Sequence, residues 1–163
     1  MKIVKWIDKY FEEALLIVLL MTMALIMGLQ VCARYFFNSS MAWTEELTRY
    51  LFVWSGFLSI GFGIQKGIAI RIDMLTEMLS PKLKSWLYLL DYVVELVFFA
   101  YLLPFAYRYL IQTIASGQVS TAMRMPMSLL QAAPLVGFAI SVVRLLQKIY
   151  KEFKAMREVK PCQ

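Results

Sequence analysis

The sequence has no histidine and only two cysteines and seven glycines among its 163 residues. The absence of histidine removes the commonest proton shuttle and metal ligand, and it excludes a haem held by two histidines. The chain also lacks a nucleophile beside a base, a metal-ligand spacing and a glycine-rich phosphate loop. We therefore predict that the protein is not an enzyme and holds no metal and no cofactor.

Charged residues are nearly absent from four long apolar segments, residues 14–33, 50–65, 85–107 and 125–143. Only the third segment contains charges, and these are Asp91 and Glu95. A bilayer core of about 30 Å is crossed by roughly 20 helical residues. The sequence therefore predicts an all-α membrane protein of one domain, residues 1–163, with four transmembrane helices. We place these helices at about residues 14–34, 44–66, 84–107 and 125–146.

Most of the basic residues lie on one side of these helices. Of the 17 Lys and Arg residues, 13 fall in the N-terminal tail, the connector after the second helix and the C-terminal segment. This segment comprises Arg144 and the cytoplasmic tail predicted at residues 147–163. The positive-inside rule therefore places both termini in the cytoplasm. The net charge of +6 is then a topology signal and an attraction to lipid headgroups, not a sign of nucleic-acid binding. Cys32 and Cys162 fall near opposite membrane faces, so we expect no disulfide between them.

Residues 1–13 form an amphipathic stretch ahead of the first apolar segment. Apolar side chains recur there at helical spacing, at Ile3, Trp6, Ile7, Tyr10 and Phe11. We expect a separate helix lying in the cytoplasmic interface. The alternative is a cytoplasmic extension of the first transmembrane helix.

Two series of small residues recur every four positions. The first is Ser55, Ser59, Gly63 and Gly67, and the second is Ala133, Gly137 and Ser141. Small residues let membrane helices approach closely, because no hydrophobic force drives helices together in lipid. Both series are therefore predicted to be helix-packing positions.

Asp91 and Glu95 lie one helical turn apart within the third apolar segment. Charges inside a membrane are costly and usually face a partner, a cavity or a transport pathway. The pair is either a proton or sodium site or a structural anchor. As an anchor, Asp91 would be reached by Lys66 or Lys84, and Glu95 by a partner subunit or by a hydroxyl such as Ser55 or Ser59.

The entry to the second helix reads Trp43-Thr44-Glu45-Glu46-Leu47-Thr48-Arg49. Thr44 is placed to cap this helix, and Glu45 lies four residues before Arg49, the favourable spacing for an ion pair. The segment is similar to the W-x-E-E-x-x-R signature of the small membrane subunit of tripartite ATP-independent periplasmic (TRAP) transporters, the DctQ-type permease family.

Two further segments carry the same resemblance, which covers nearly the whole chain. Residues 70–75 resemble the basic-hydrophobic-Asp segment that follows the second helix of the family. Residues 117–123, followed by Met125 and Pro126, resemble its second periplasmic connector. Ala69 stands where the family often has a histidine, so any role of that histidine is missing here.

The resemblance implies a transport system of three proteins in the bacterial inner membrane. A periplasmic binding protein captures an organic anion such as a C4-dicarboxylate or sialic acid. A large membrane subunit then moves the anion inward with sodium by an elevator-like motion. The small subunit is expected to pack against the large one as a fixed scaffold and to help receive the binding protein. Its partners would thus be these two proteins and membrane lipids.

The residues expected at the subunit or binding-protein interface are Trp43, Glu45, Glu46, Arg49, Arg108 and Arg124. For Glu45 and Arg49 the alternative is an internal ion pair, and for Arg108 and Arg124 it is anchoring at lipid headgroups. Arg71 and Asp73 are expected to form a local pair that fixes the cytoplasmic connector.

Two other functions compete with the accessory-subunit hypothesis. A small proton-coupled multidrug antiporter also has four helices and a membrane carboxylate, and it would require Glu95 and act as a homodimer. A membrane anchor for a redox enzyme is a further alternative, although the absence of histidine argues against haem.

Overall fold

A computed structural model describes residues 2–37, 41–67 and 81–158, and the side chains of residues 12–36, 41–67, 83 and 86–154. The chain forms four helices, α1 (Lys2–Phe37), α2 (Ala42–Lys66), α3 (Pro81–Ser116) and α4 (Ser128–Glu158). Each is long and apolar enough to cross a membrane. The prediction of an all-α protein with four membrane-spanning helices is confirmed.

Helix α1 is one uninterrupted helix of 36 residues. At 1.5 Å per residue it is about 54 Å long, well beyond the bilayer core. The separate interfacial helix predicted for residues 1–13 is therefore corrected, because this stretch continues the first transmembrane helix. The sequence has no proline or glycine before Gly28, so nothing in the backbone ends the helix near residue 13.

Helix α2 ends at Lys66, the predicted end of the second span. Gly67 follows as its cap, with a φ of 71° and an amide that donates to the carbonyls of Gly63 and Ile64. Gly67, predicted as a packing residue, thus terminates the helix, since glycine tolerates this left-handed conformation. Helix α3 runs past the predicted end at residue 107 as far as Ser116, and α4 includes residues 147–158 of the predicted tail.

The helices pack side by side in the order α1, α2, α4, α3. In the most apolar stretch of each helix, 28% of the residues are buried in α2 and in α4, against 11% in α1 and 6% in α3. Within the described residues, α1 and α3 therefore form the two outer edges of an open row. The buried core at the centre of this row combines Ile64, Tyr92 and Leu145, from α2, α3 and α4.

The two inner helices approach so closely that side chains are excluded from parts of their contact. A Cβ on Gly137 would lie 2.7 Å from both the Cβ and the carbonyl oxygen of Phe57. A Cβ on Gly61 would lie 2.7 Å from Cγ2 of Ile140. The ring of Phe57 packs edge-on against Phe138, with centroids 5.5 Å apart. This seam joins the middle of α2 to the middle of α4.

The seam between α2 and α4 does not use the small-residue series predicted on α2. Residues four apart drift by about 40° around a helix, so Ser55 and Gly67 cannot share one face. The residues of α2 that meet α4 instead alternate three and four apart, as Trp54, Phe57, Gly61 and Ile64. A Cβ on Gly63 would have no neighbouring atom within 4 Å, and Ser59 is exposed. On α4, by contrast, Ala133, Gly137 and Ser141 are all buried.

We predict that Gly137→Ala destabilises the protein by about 1–3 kcal/mol, since the new methyl group forces α2 and α4 apart. Gly63→Ala is the matched control, because it adds the same methyl group to open space on α2. Thermal unfolding in detergent, followed by circular dichroism, compares the two variants. Equal melting temperatures for both would contradict the close contact.

Candidate functional site

Polar contacts concentrate at the two ends of the helices, which correspond to the two membrane faces. We call these ends the loop end and the basic end. The loop end contains the start of α2 and the connector 117–127. The basic end contains Lys66 at the end of α2 and Arg144 on α4.

Helix α2 begins with Ala42 after Met41, whose extended backbone (φ −95°, ψ 103°) precedes the first turn. Both the amide and the hydroxyl of Thr44 donate to the carbonyl oxygen of Met41, at 3.2 and 2.6 Å. Thr44 is thus the third helical residue and not the predicted cap. Glu45 and Glu46 are consecutive residues of this helix and therefore lie about 100° apart around it. The two carboxylates thus face different neighbours.

Glu46 binds the connector between α3 and α4. Its Oε2 accepts hydrogen bonds from the backbone amides of Ala122, at 3.0 Å, and Met123, at 2.8 Å. The side chain of Ser120 also lies beside this carboxylate. Hydrogen bonds that an ionised carboxylate accepts are among the stronger hydrogen bonds in proteins. Glu46 therefore holds the shape of this loop from the neighbouring helix.

The connector is a small closed loop in its own right. The Ser120 amide donates to the carbonyl of Met125 at 2.8 Å, and the Met127 amide to that of Gln118 at 2.9 Å. At its turn, the exposed Arg124 has a φ of 54°, a conformation that few non-glycine residues adopt. These two backbone hydrogen bonds close the loop around Arg124. Its exposed side chain therefore lies at the surface of the loop end.

Glu45 faces α1 and not Arg49. Its Oε1 accepts a hydrogen bond from Nε2 of Gln30 at 3.0 Å. No Glu45–Arg49 ion pair forms between these two described side chains, so that alternative is corrected. Arg49 is exposed, and its charge acts on Glu46. The start of α2 is therefore tied to α1 through one carboxylate and to the connector through the next.

The six residues predicted at an interface do not form one cluster. Glu46, Arg49 and Arg124 lie together at the connector. Trp43 borders a groove of about 260 Å³ between α1 and α2, on the side to which Glu45 also turns. Arg108 is exposed on α3, eight residues before that helix ends at Ser116.

At the basic end, Arg144 and Glu12 form an ion pair between α4 and α1. Nη2 of Arg144 donates to Oε1 of Glu12 at 2.7 Å and Nε donates at 3.0 Å, while Nη1 contacts Gln147 at 3.1 Å. The two side chains of the pair are only 10% and 11% exposed. A second and more exposed pair joins Lys66 to Glu13 at 2.7 Å. These pairs attach the edge helix α1 to both inner helices.

Comparison with known proteins places this arrangement in a family. Residues 23–155 match the family model described as tripartite ATP-independent periplasmic transporters, DctQ component. The chain belongs to the DctQ family. It is a multi-pass protein of the bacterial inner membrane, as predicted.

Three relatives show how the chain compares with other members. It is 26% identical over 153 residues to the isethionate TRAP transporter permease protein DctMQ of Oleidesulfovibrio alaskensis, an alignment of 90% of this chain and 24% of that protein. It is 36% identical over 69 residues to a protein of Haemophilus influenzae named as a TRAP transporter small permease, covering 42% of this chain and 43% of the relative.

The third relative is the sialic acid TRAP transporter permease protein SiaT, also of Haemophilus influenzae. It is 35% identical over 57 residues, which are 35% of this chain and 9% of SiaT. The matched segments thus span less than half the length of each of these relatives.

In this DctQ-family chain, three of the partners predicted for the intramembrane carboxylates are engaged elsewhere, namely Lys66, Ser55 and Ser59. Lys66 pairs with Glu13 and not with Asp91. Ser55 and Ser59 line a groove on the α1 side of α2, and their hydroxyls donate to the carbonyls of Phe52 and Gly56. Among the described residues, no three acidic or cysteine side chains gather in a way that would hold a metal ion. Arg71, Asp73 and the side chain of Lys84 lie outside the described residues.

The Glu12–Arg144 pair was not predicted, although the sequence contains a signal for it. Glu12 and Glu13 immediately precede the first apolar segment, Arg144 immediately follows the fourth, and Lys66 follows the second. With four alternating spans, all these charges fall at the same membrane face. Opposite charges at the same depth on three helices therefore indicate which side chains can pair.

We predict that Glu46→Gln loosens the connector, because a neutral amide is a weaker acceptor for the amides of Ala122 and Met123. Hydrogen exchange of residues 118–127 should become severalfold faster. Glu45→Gln is the control, since Glu45 contacts Gln30 and not the connector. Faster exchange of the connector in both variants alike would contradict a specific role for Glu46.

We predict that Arg144→Met destabilises the protein by about 3–5 kcal/mol, because it leaves the Glu12 carboxylate buried without its ion partner. The double variant Glu12→Gln with Arg144→Met should recover much of this loss. Lys66→Met should cost about 1 kcal/mol or less, since the pair with Glu13 is more exposed. Chemical unfolding in detergent gives all three values, and an additive double variant would show that the two residues are not coupled.

Proposed function

We propose that this chain is a non-transporting accessory subunit that holds a large TRAP membrane subunit in place. The observation that carries this proposal is the open helix row, in whose edge helix α3 only Tyr92 and Thr113 are buried among the residues 86–116. An edge with so few buried residues is suited to packing against a second membrane protein. The DctMQ relative supports the idea, because the segment similar to this chain is 24% of a single, much longer permease.

The outer face of α3 is the surface that we assign to the large subunit. Its exposed aromatic side chains are spaced three or four residues apart, at Phe98, Tyr101, Phe105 and Tyr109, each more than half exposed. Tyr101 lies at the middle of the span Trp86–Ser116. A phenol hydroxyl facing hydrocarbon has no water to bond there, so a protein partner with polar groups suits this position better than lipid.

The loop end is the surface that we assign to the periplasmic binding protein. Arg49 and Arg124 are exposed beside a connector that Glu46 holds in shape. A preorganised polar loop loses less conformational entropy on binding than a loose one. This assignment requires the loop end to face the periplasm and both termini the cytoplasm, as the positive-inside rule predicts.

The cargo of the assembled system is proposed to be an organic anion taken up with sodium. The names of two relatives mention isethionate, a sulfonate, and sialic acid, a carboxylate. Anionic small molecules are the feature common to both. We assign selection of the anion to the large subunit and the binding protein, because the polar contacts described in this chain tie its own helices together.

We predict that alanine at both Tyr101 and Phe105 greatly reduces co-purification of the large subunit, because aromatic anchors dominate protein interfaces, each contributing about 2 kcal/mol or more. The assay co-expresses both membrane proteins, captures a tag on this chain and measures the molar ratio of the two. The matched control is alanine at Leu25 and Leu29, which are 66% and 64% exposed on the opposite edge.

Uptake in liposomes completes the test. Anion uptake should need this chain, the large subunit, the binding protein and a sodium gradient together. Glu46→Ala should weaken the response to the binding protein while leaving the large subunit bound. A purified homodimer that exchanges protons for substrate, and stops when Glu95 is changed, would replace the accessory subunit with an antiporter.

A further inference from the structure

A groove of about 430 Å³ runs between α1 and α2 in the half of the membrane next to the basic end. Its volume falls within the range of about 300–1,000 Å³ that is typical of small-molecule sites. One wall is aliphatic and comes from α1, through Leu16, Ile17 and Leu20. The other wall is α2, where Ser55, Gly56 and Ser59 leave the space open.

The groove is apolar although two hydroxyl groups line it. Ser55 Oγ donates to the carbonyl of Phe52 at 2.8 Å, and Ser59 Oγ donates to that of Gly56 at 2.7 Å. Hydroxyls bonded within their own helix make little demand on a polar ligand. The body of the groove therefore suits a hydrocarbon chain.

The groove is short enough to lie within one leaflet of a bilayer and too short to cross a whole membrane. It extends along residues 13–20 of α1 and 55–62 of α2, about 10 Å at 1.5 Å per residue. Half of a hydrocarbon core is about 15 Å. The buried Met23 follows on α1 before a second, separate groove begins at Ile26. A helix of another protein crossing the membrane would need a longer continuous groove, whereas an acyl chain from one leaflet would not.

The mouth of the groove carries one charge of each sign. Glu13 lines it, and Lys66 pairs with Glu13 at 2.7 Å while lying 5.3 Å from the centre of the Phe62 ring. Both side chains are about one-third exposed. Their contact uses one of three ammonium donors and one of several carboxylate acceptor positions. A headgroup with its own ammonium and phosphate can therefore join the pair, with its N–H groups on Glu13 and its phosphate on Lys66.

We infer that this groove binds phosphatidylethanolamine, with one acyl chain between α1 and α2 and the zwitterionic headgroup on Glu13 and Lys66. Phosphatidylglycerol fits less well, because its headgroup has no cation for Glu13. Phosphatidylcholine fits less well because its quaternary ammonium has no N–H to donate. A bound lipid of this kind fills the space between the edge helix and the inner pair.

The test measures lipid retention by the full-length chain, delipidated in detergent and analysed by native mass spectrometry. The three lipids above, with identical oleoyl chains, are the probes. Phosphatidylethanolamine should bind about tenfold more tightly than the other two, as expected for the loss of one charge-assisted hydrogen bond. Glu13→Gln should reduce this preference for the ethanolamine headgroup.

A groove-filling variant tests the acyl-chain position independently of the headgroup. Gly56→Leu adds a side chain where no atom lies within 4 Å, so it should occupy the groove without disturbing the helix contact. It should reduce phosphatidylethanolamine retention at least about tenfold. Gly28→Leu is the matched control, because this exposed glycine also has open space but does not line the groove. Melting curves without lipid check that both variants fold.

Two results would overturn the inference. Equal retention of the three lipids by the wild-type chain would remove the headgroup assignment. Undiminished retention by Gly56→Leu would remove the groove assignment. None of these results bears on the aromatic face of α3, so the accessory-subunit proposal is tested separately.

Discussion

The close contact between α2 and α4 is the constraint on which the other parts of the structure depend. Apolar side chains gain little by leaving lipid for one another, so membrane helices associate through tight packing and polar contacts. Gly137 against Phe57, and Gly61 against Ile140, bring two backbones close enough for dispersion forces to act along the seam. The inner pair then provides the frame to which both edge helices attach.

Polar contacts at the loop end and at the basic end add to the packing of the central seam. Glu46 fixes the connector between α3 and α4, and Glu12 joins α1 to Arg144 on α4. Each tie links segments that are distant in sequence. Such long-range contacts resist rearrangement, as the scaffold role that we propose requires.

The open row also separates the surfaces that we assign to different partners. The aromatic face of α3 lies on one edge, and the lipid groove lies beside α1 near the other. The connector occupies the loop end, between the two. Large subunit, lipid and binding protein can therefore be bound at the same time without competing for a surface.

The candidate site was predictable in its composition but less so in its contacts. The signature at the start of α2 identified Glu45 and Glu46 as residues of interest, yet their neighbours were unknown. The spacing along one helix favoured an ion pair between Glu45 and Arg49. In the structure, Glu45 instead accepts a hydrogen bond from Gln30. Local spacing shows only which side chains can meet within a helix, and here a residue of another helix offers the contact.

The class of protein, the number of membrane-spanning helices and their approximate positions could be predicted from the amino-acid sequence. This was possible because the length and charge of an apolar segment are local properties, and the bilayer limits both. The helix contacts were needed to show that α4 lies between α2 and α3, that Gly61 and not Gly63 meets α4, and that Glu12 pairs with Arg144. The order and rotation of helices depend on contacts between residues distant in the chain, and periodicity within one helix carries no information about its neighbour.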